Sequence, residues 1–527
     1  MSVDERNGFS IDKFSIYDFL LGSSIPGKVK KRIFYHIPMD IHFCIKHNNQ
    51  GKIESHKWFF KGFCEYMNPT FAQIIDCGSI PLWNSISHII MHMEKFKNVG
   101  GACGEIECIL PEKKEDGQDI SFVESVILRS QYVEYKLSHY LDKATETFFG
   151  FVSVLPGAFS TFRWEAVHGK PLDEFLRGAK DEFGDINKIM HCAVTNKYLA
   201  EDRIMCLEIV AKKNEKFILN YIPGAKCLTD PPLSLTQLIK QRRRWFNGSL
   251  FASLHVISSM CKIWGRHSSS WMRNVAFCIL YIYMVIQMVL SFVIVGSFFA
   301  VFSVFIRATI PSSDGFASSE PANIIEYVYL IFLFLTILLS TTIDISWAET
   351  GFRICSMVMG LFTLLMVGNS AFYALEEDLF STSVVFFLIF LLSYMLPLLL
   401  NCSGLKYADF IKGILYVTYL SPTYVNIFTM YSISNIHDVS WGSRPSTSQD
   451  QDISGKAKIL KEVERKKDVM YRDFRAKFLI FWCATNLFVG YLILYLFNDG
   501  NEQIIFGFAI FLVGVMVFKI TISTIHL

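Results

Sequence analysis

Two carboxylates and a guanidinium lie side by side in the chain as Glu201, Asp202 and Arg203. Such a cluster is usually an ordinary charged surface. Where it lies next to a hydroxyl group that is about to react, one of the carboxylates can instead act as a general base and accept the hydroxyl proton. The residue types alone leave both interpretations open.

A second polar group, Gln241–Trp245, reads Q-R-R-R-W and precedes the first long apolar stretch. Successive arginines are typical of the cytosolic flank of a membrane protein. They also suit a diphosphate, because a guanidinium makes two parallel hydrogen bonds to phosphate oxygens. Trp245 offers an aromatic face on which the apolar face of a sugar ring can stack.

Asp76 ends the apolar segment Gln73–Asp76, which is predicted as a buried strand. Ligands of open α/β sheets bind at the carboxyl ends of parallel strands, where an aspartate can hold a divalent metal ion against a diphosphate. A strand followed by an aspartate and a turn is common, so this pattern alone indicates a metal site only weakly. Ile41–Lys46 is predicted as a second buried strand.

Two glycine-containing segments are predicted as turns. Cys103–Ile106 follows a pair of glycines, and its glutamate is expected to be exposed. Leu155–Ala158 (L-P-G-A) is expected to end a strand at Phe151–Val154.

The composition divides the chain into a globular half and a membrane half. Hydrophobic residues make up 52% of the chain and charged residues only 19%, where a soluble domain has about 25% charged residues. The apolar excess begins near Asn274. The chain contains no basic arm with interleaved aromatic residues, which excludes nucleic acid as a partner. The 13 cysteines form no C-x-x-C pair and are expected to be reduced thiols.

We predict about six membrane crossings, since a span needs about 20 apolar residues. Ile414–Ile433 is interrupted by Pro422 and rich in polar residues, so it is predicted to lie in the interface or to re-enter. The basic loop Lys456–Lys477 is expected on the cytosolic side. A less favoured alternative is that the first stretch crosses twice. The predicted spans are Val275–Ile306, Ile325–Ile345, Ile354–Leu375, Ser383–Leu400, Phe478–Phe497 and Ile504–Ile522.

The order of these motifs resembles that of the processive family-2 glycosyltransferases, which are the chitin, hyaluronan and cellulose synthases. The residues within the motifs are similar to those of the fungal-type chitin synthases, including L-A-E-D-R at Leu199–Arg203 and Q-R-R-R-W-F-N-G at Gln241–Gly248. Asn435–Ser443 (N-I-H-D-V-S-W-G-S) resembles a block that hyaluronan and cellulose synthases lack. Further matches are D-C-G-S-I-P at Asp76–Pro81, A-C-G-E-I at Ala102–Ile106, Q-Y-V-E-Y-K at Gln131–Lys136 and V-L-P-G-A-F-S at Val154–Ser160.

The resemblance implies a role for each matching residue. Asp202 is implied to be the general base that deprotonates the 4-hydroxyl of the growing chain, and Asp76 to hold the Mg2+ or Mn2+ that binds UDP. The residues implied to bind substrate are Lys46, Glu105, Pro156, Gly157, Glu201, Arg203, Gln241, Arg244 and Trp245. The residues implied to gate the site are Asn435, His437, Asp438, Trp441 and Ser443.

The resemblance also implies the partners, the location and the architecture. The substrates are UDP-GlcNAc and the growing chitin chain, in a multi-pass protein of the plasma membrane with a cytosolic catalytic domain and pairing into a homodimer. The fold class is an α/β, partial glycosyltransferase type A domain followed by an all-α multi-span transmembrane bundle. The predicted divisions are a catalytic domain at 1–250, an interface helix and membrane bundle at 251–434, a cytosolic loop at 435–477 and C-terminal membrane helices at 478–527.

One departure from the family's pattern lies before Lys46. Family members carry a Y-N-E-like and a D-G-R-like segment there, and Met1–Pro38 contains neither. We therefore expect an N-terminally incomplete catalytic domain, which makes a catalytically impaired synthase or an accessory subunit of an intact synthase the alternative function. A transporter ranks last, because the first predicted span contains no ionisable residue at mid-depth.

Overall fold

A mixed β-sheet lies at the centre of the N-terminal part of the chain. The computed structural model describes residues 42–45, 52–111, 113, 117–180, 190–264, 271–310, 320–376, 406–440, 454–498 and 502–526. Within these residues the sheet has five strands in the order β1-β4-β3-β5-β2. Their bounds are β1 Phe71–Ile75, β2 Ile80–Pro81, β3 Val99–Cys108, β4 Phe159–Arg163 and β5 Ile218–Thr229.

The sheet is mixed rather than wholly parallel, which corrects the strand arrangement assumed for Asp76. β3 and β5 are parallel, whereas β4 runs antiparallel to both β1 and β3. Because β4 reverses between them, β1 and β3 still point the same way. Asp76 therefore follows the carboxyl end of β1 at the sheet edge toward which β3 also runs.

Three local predictions in this domain were wrong. The described part of the predicted strand Ile41–Lys46, residues 42–45, forms no strand and is exposed, with Phe43 87% accessible. Cys103–Ile106 is not a turn but the buried middle of β3, because β4 and β5 pair with it on both sides. Phe151–Val154 forms no strand, although the turn that follows it at Gly157 is confirmed.

Helices pack on the sheet and carry most of the motifs. The helix Phe122–Leu137 begins with a capping box, in which the Ser121 hydroxyl accepts from the Glu124 amide and the Glu124 carboxylate accepts from the Ser121 amide. The helices are α1 Lys52–Lys57, α2 Ser85–Lys95, α3 Phe122–Leu137, α4 Ala144–Phe148, α5 Cys192–Lys197 and α6 Glu201–Val210, with short ones at Trp164–Val167, Lys170–Phe175 and Arg177–Lys180. A short α-helical turn lies at Glu65–Met67. Trp58–Cys64 and Ser138–Lys143 are π-helical, and Tyr198–Ala200 is a 3-10 turn.

Long helices make up the rest of the described chain. The helix α7, Leu235–Trp264, carries the Q-R-R-R-W motif and leads toward the apolar half. The helices that follow are α8 Trp271–Phe292, α9 Ile294–Thr309, α10 Glu320–Thr342, α11 Ile345–Glu376, α12 Tyr407–Pro422, α13 Phe428–Ser434, α14 Ser454–Asn498 and α15 Glu502–His526, with a π-helical turn Thr423–Ile427 between α12 and α13.

Four helices of the described chain are long and apolar enough to cross a membrane. They are Trp271–Phe292, Glu320–Thr342, Ile345–Gly368 and Glu462–Leu496, and shorter apolar helices lie at Ile294–Arg307 and Gly514–His526. The predicted span Ser383–Leu400 lies outside the described residues. The α/β and helical-bundle fold class is confirmed, whereas the total of about six crossings and the domain divisions stay predictions.

The first predicted span, Val275–Ile306, is not one helix but two, because the chain breaks at Val293. Two side chains of helix α14 donate hydrogen bonds to the carbonyl oxygen of Phe292 at this break. Trp482 Nε1 donates over 2.9 Å and Asn486 Nδ2 over 3.1 Å. The Gly296 amide in turn donates to Asn486 Oδ1. These bonds satisfy backbone groups that the helix break would otherwise leave unpaired.

The polar segment Ile414–Ile433, predicted to lie in the interface or to re-enter, is helical. Its first helix, α12, packs against the N-terminal domain. A Cβ at Gly413 would lie 2.7 Å from the carbonyl oxygen of Arg129, so α12 lies directly against α3. Arg129 Nε also pairs with Asp409 of α12 over 2.9 Å. The interface position itself stays a prediction.

Candidate functional site

The acidic pair Glu201 and Asp202 opens helix α6, directly after the helical turn Tyr198–Ala200. Helix α7 fixes this turn, because a Cβ at Gly248 would lie 3.0 Å from the backbone nitrogen of Ala200. A Cβ at this distance would be tighter than most real Cβ contacts, so the glycine favours the close approach of the two segments. The last residue of Q-R-R-R-W-F-N-G therefore holds the segment that presents the two carboxylates.

Burial changes the acidity of both carboxyl groups. The pKa of Asp202 is raised by burial, although Arg203 and then Lys52 oppose the shift. The pKa of Glu201 is raised to about 8 by burial and by repulsion from Asp202. A carboxylate whose pKa lies nearer neutrality is a better proton acceptor than an exposed one. Asp202 is also oriented, because the Arg203 amide donates to its Oδ1 over 2.9 Å.

Asp76 lies beside the Pro156–Gly157 turn, as two contacts show. Its backbone amide donates to the carbonyl oxygen of Ala158 over 3.3 Å, because β1 and β4 pair at this end. Its carboxylate oxygens accept from Lys52 Nζ at 2.9 and 3.2 Å. The ammonium of Lys52 lies over Gly157, 2.7 Å from where a Cβ of that residue would be.

Helix α7 presents the remaining residues of Q-R-R-R-W at different depths. Trp245 is 38% exposed and stacks on Tyr135, with 6.3 Å between the ring centroids. The guanidinium of Arg242 lies 4.6 Å from the centroid of the Trp245 ring and pairs with Glu134. Gln241 and Arg244 are half-buried, and the charge of Arg244 favours the ionised form of Glu201.

Glu105 is buried in β3 rather than exposed, with 1% of its surface accessible. It pairs with the buried ammonium of Lys136 and accepts from the Tyr140 hydroxyl over 3.2 Å. Lys136 also pairs with Glu107 over 2.7 Å. The structure therefore places Glu105 in a buried charge network with Lys136.

The described part of the block Asn435–Ser443 bridges several helices. Asn435 Nδ2 donates to the carbonyl oxygen of Ser340 at the end of α10. Asp438 pairs with Arg243, which also donates to the carbonyl oxygen of Ser440 over 3.1 Å. Burial and the nearby arginines of α14 lower the pKa of His437 to about 4. Trp441, Ser443 and Lys46 lie outside the described residues.

Comparison with known proteins shows which proteins this chain is similar to. Residues 16–260 match the model of a chitin synthase-like glycosyltransferase domain. The chain is 34% identical over 445 residues to chitin synthase 2 of Mycosarcoma maydis, an alignment covering 79% of this chain and 40% of that protein. It is 32% identical over 423 residues to chitin synthase 1 of Saccharomyces cerevisiae, covering 77% of this chain and 36% of that protein. Residues 16–260 of this chain are therefore a chitin synthase-like glycosyltransferase domain, and the aligned relatives are chitin synthases.

A further relative is chitin synthase 1 of Phytophthora sojae, which is 29% identical over 519 residues, covering 92% of this chain and 54% of that protein. The chain thus spans between a third and somewhat more than half of the length of these relatives. The family assignment and the fold class predicted from the motifs are confirmed.

Sequence reasoning missed two lysines of this chitin synthase family domain. Lys52 contacts Asp76 and Gly157, and Lys136 pairs with Glu105. Lys136 could have been found, because it ends the motif Q-Y-V-E-Y-K that was already noted at Gln131–Lys136. Lys52 gave no such signal, since one lysine in a polar segment has the pattern of a solvated surface.

Proposed function

We propose that this chain is a processive membrane glycosyltransferase that makes chitin. It transfers N-acetylglucosamine from UDP-GlcNAc to the non-reducing end of a growing β-1,4-linked chain. The observation that carries the proposal is the pair Glu201 and Asp202 on α6, held by Gly248 of the Q-R-R-R-W helix. This contact places the proposed proton acceptor, Asp202, next to the helix that carries residues suited to a sugar and a diphosphate.

The chemical step follows from the acidity and orientation of Asp202. Its carboxylate accepts the proton of the acceptor 4-hydroxyl, while the hydroxyl oxygen forms a bond to C1 of the donor sugar. The bond from C1 to the diphosphate breaks at the same time, and UDP leaves. Trp245 stacks on the acceptor ring, and Gln241 and Arg244 hold the polar groups around it.

Asp76 fits a hard divalent cation, Mg2+ or Mn2+. Its carboxylate is 40% exposed at the sheet edge. In the described part of the chain no group of three His, Cys, Asp or Glu residues forms a metal site by itself. That agrees with Mg2+, which proteins usually bind through one or two carboxylates together with substrate phosphates. When bound, the cation would stabilise the negative charge of the leaving diphosphate.

The bilayer location and the orientation complete the proposal. The four long apolar helices support a multi-pass membrane protein. The basic segment Lys456–Lys477 and the arginines of α7 favour a cytosolic catalytic domain. We place the protein in the plasma membrane, where the helical bundle would carry the polymer outward. Pairing into a homodimer is part of the same proposal. Its test is the molecular mass of the purified protein in detergent.

The deciding experiment is incorporation of labelled UDP-GlcNAc into chitinase-sensitive polymer by membranes that contain this chain, with Mg2+ present. Polymer formation is expected to vanish in Asp202→Asn. The matched control is Asp173→Asn, an exposed aspartate whose carboxylate pairs only at the surface with Lys61, and it should keep full activity. Polymer that persists in Asp202→Asn would contradict the assigned base, and absence of polymer with a folded protein would contradict the proposed function.

A further inference from the structure

Lys52 has no part in the mechanism above, although its ammonium lies inside the site. It opens helix α1, and its side chain is 26% exposed. Both oxygens of the Asp76 carboxylate are within hydrogen-bonding distance of its Nζ, at 2.9 and 3.2 Å. The residue that is suited to hold a cation is therefore paired with a cation that the protein itself supplies.

The neighbouring turn is shaped to admit this lysine. A Cβ at Gly157 would lie 2.7 Å from Lys52 Nζ and 3.5 Å from its Cε. A Cβ at this position would require the ammonium to shift from the place where it contacts Asp76. The glycine of the V-L-P-G-A-F-S motif thus leaves room for a lysine from a different part of the chain.

The same ammonium faces the acidic pair on α6. Its charge favours the ionised forms of both Glu201 and Asp202. It also disfavours protonation of His56, the buried ring one turn along from it. Lys52 therefore contacts the donor side of the site, at Asp76, and acts electrostatically on the proposed proton acceptor.

A lysine and a divalent cation compete for one carboxylate. A Mg2+ ion binds carboxylate oxygens at about 2.0–2.1 Å, which leaves the ammonium facing a positive ion. A diphosphate that arrives with the cation brings new anionic oxygens to the same place. A lysine serves well there, because it binds phosphate as a flexible point charge with three donors.

We propose that Lys52 is a donor-binding residue that exchanges partners. It pairs with Asp76 while the site holds no nucleotide, and it moves to a diphosphate oxygen of the sugar nucleotide when a divalent cation takes Asp76. This inference rests on the proposed function, since it assumes that the site takes a nucleoside diphosphate. No covalent bond is made or broken in the exchange: the divalent cation replaces the ammonium at the Asp76 carboxylate, and the ammonium pairs with the anionic diphosphate that arrives with the cation.

The test measures two affinities of the full chain in detergent. Mn2+ binding without nucleotide is followed by electron paramagnetic resonance, and UDP binding with Mg2+ by calorimetry. In Lys52→Met, the Mn2+ affinity should rise several-fold, because the competing ammonium is gone. The UDP affinity should fall by about tenfold or more, as expected for a lost charge-assisted hydrogen bond. The matched control is Lys57→Met, a 53% exposed lysine of the same helix, which should change neither affinity.

Two more variants keep the inference testable if Lys52→Met folds poorly. Lys52→Arg retains the charge and should restore UDP binding toward that of the wild type. Gly157→Ala displaces the ammonium without removing it, and should raise the Mn2+ affinity in the same direction as Lys52→Met.

The outcomes separate this inference from the proposed function. If the wild type binds UDP and Lys52→Met matches it in both affinities, the exchange is wrong while the proposed function stands. A fall in Mn2+ affinity in Lys52→Met would also overturn the exchange, because the lysine would then support the cation. If the wild type binds no UDP in the presence of Mg2+, the proposed function and the exchange both fail.

Discussion

The side-chain amide of Asn196 donates a hydrogen bond to the carbonyl oxygen of Ile436 over 2.8 Å, and both residues are wholly buried. Asn196 lies in α5, just before the turn that leads to Glu201 and Asp202. Ile436 belongs to the block Asn435–Ser443. Asn247 of α7 similarly donates to the carbonyl oxygen of Ser432 over 2.8 Å. The first bond ties the block, and the second ties helix α13 directly before it, to the helices that position the proposed base.

Removing the hydrogen bond from Asn196 to Ile436 should destabilise the site. Asn196→Ala leaves a buried carbonyl without its amide donor, which costs about 1–3 kcal/mol of folding free energy. We expect a lower melting temperature by tryptophan fluorescence and a several-fold lower rate of polymer formation. Asn98→Ala is the control, because Asn98 is exposed. Equal melting temperatures for Asn196→Ala and the control would show that the block is not anchored through this bond.

The raised pKa of Glu201 makes stability depend on pH. The carboxyl group has a pKa of about 8 in the folded protein, against an ordinary value of 4.5. Between these values the folded chain keeps the proton that the unfolded chain has released, so the free energy of unfolding falls as pH rises. We expect the melting temperature to fall between about pH 5 and about pH 8, because one pKa unit corresponds to about 1.4 kcal/mol.

The substitution Glu201→Gln isolates this effect. The neutral amide cannot release a proton, so the variant should lose less stability on raising the pH, and should melt higher than the wild type near pH 8. Glu165→Gln is the control, since Glu165 is exposed, and it should follow the wild-type curve. A Glu201→Gln curve parallel to that of the wild type would show that Glu201 is ionised in the folded state.

The sequence predicted the strand that ends at Asp76, the turn at Gly157 and three of the four long apolar helices, because each has a local signal in apolar runs or turn residues. It failed where the deciding contact comes from far along the chain. Gly296 is the one turn residue near Val293, and it did not suffice to predict the helix break. The donors that bind the freed carbonyl, Trp482 and Asn486, lie far along the chain. The position of Lys52 over Gly157 is fixed by tertiary packing in the same way.

Gly104 shows why a glycine-rich segment was mistaken for a turn. Its φ angle is not in the left-handed region, so backbone freedom does not explain the residue. A Cβ there would lie 2.1 Å from the carbonyl oxygen of Ala225 and 2.5 Å from the ring of Phe159. The glycine therefore permits β5 and Phe159 to pack directly against β3.

The close approach at Gly104 predicts that Gly104→Ala disrupts the packing of β5 and Phe159 against β3. Neither a backbone carbonyl nor a buried ring can move aside cheaply, and overpacking of this kind costs about 1–3 kcal/mol or more. We expect poor yield of folded protein and a marked fall in melting temperature. Gly62→Ala is the matched control, because a Cβ there meets only Trp58, at 3.7 Å. Folding of Gly104→Ala at wild-type yield would contradict the close approach.

The network of Lys136 allows the structural role of Glu105 to be separated from a role in binding. Lys136→Met leaves the buried Glu105 and the partly buried Glu107 without their closest cation. Breaking a buried pair costs about 3–5 kcal/mol. The paired variant Glu105→Gln with Lys136→Met removes one of these charges and should recover part of that loss. The control Lys170→Met breaks a surface pair with Glu208, so its cost should stay below about 1 kcal/mol.

Two measurements on these variants then decide the role of Glu105. If Glu105 serves only the network, the paired variant should regain activity in proportion to its regained melting temperature. If Glu105 also contacts the substrate, the paired variant should be stable yet inactive, with a raised KM for UDP-GlcNAc. An unchanged melting temperature in Lys136→Met would contradict the network itself, because a lysine with no exposed surface cannot be removed from two carboxylates without cost.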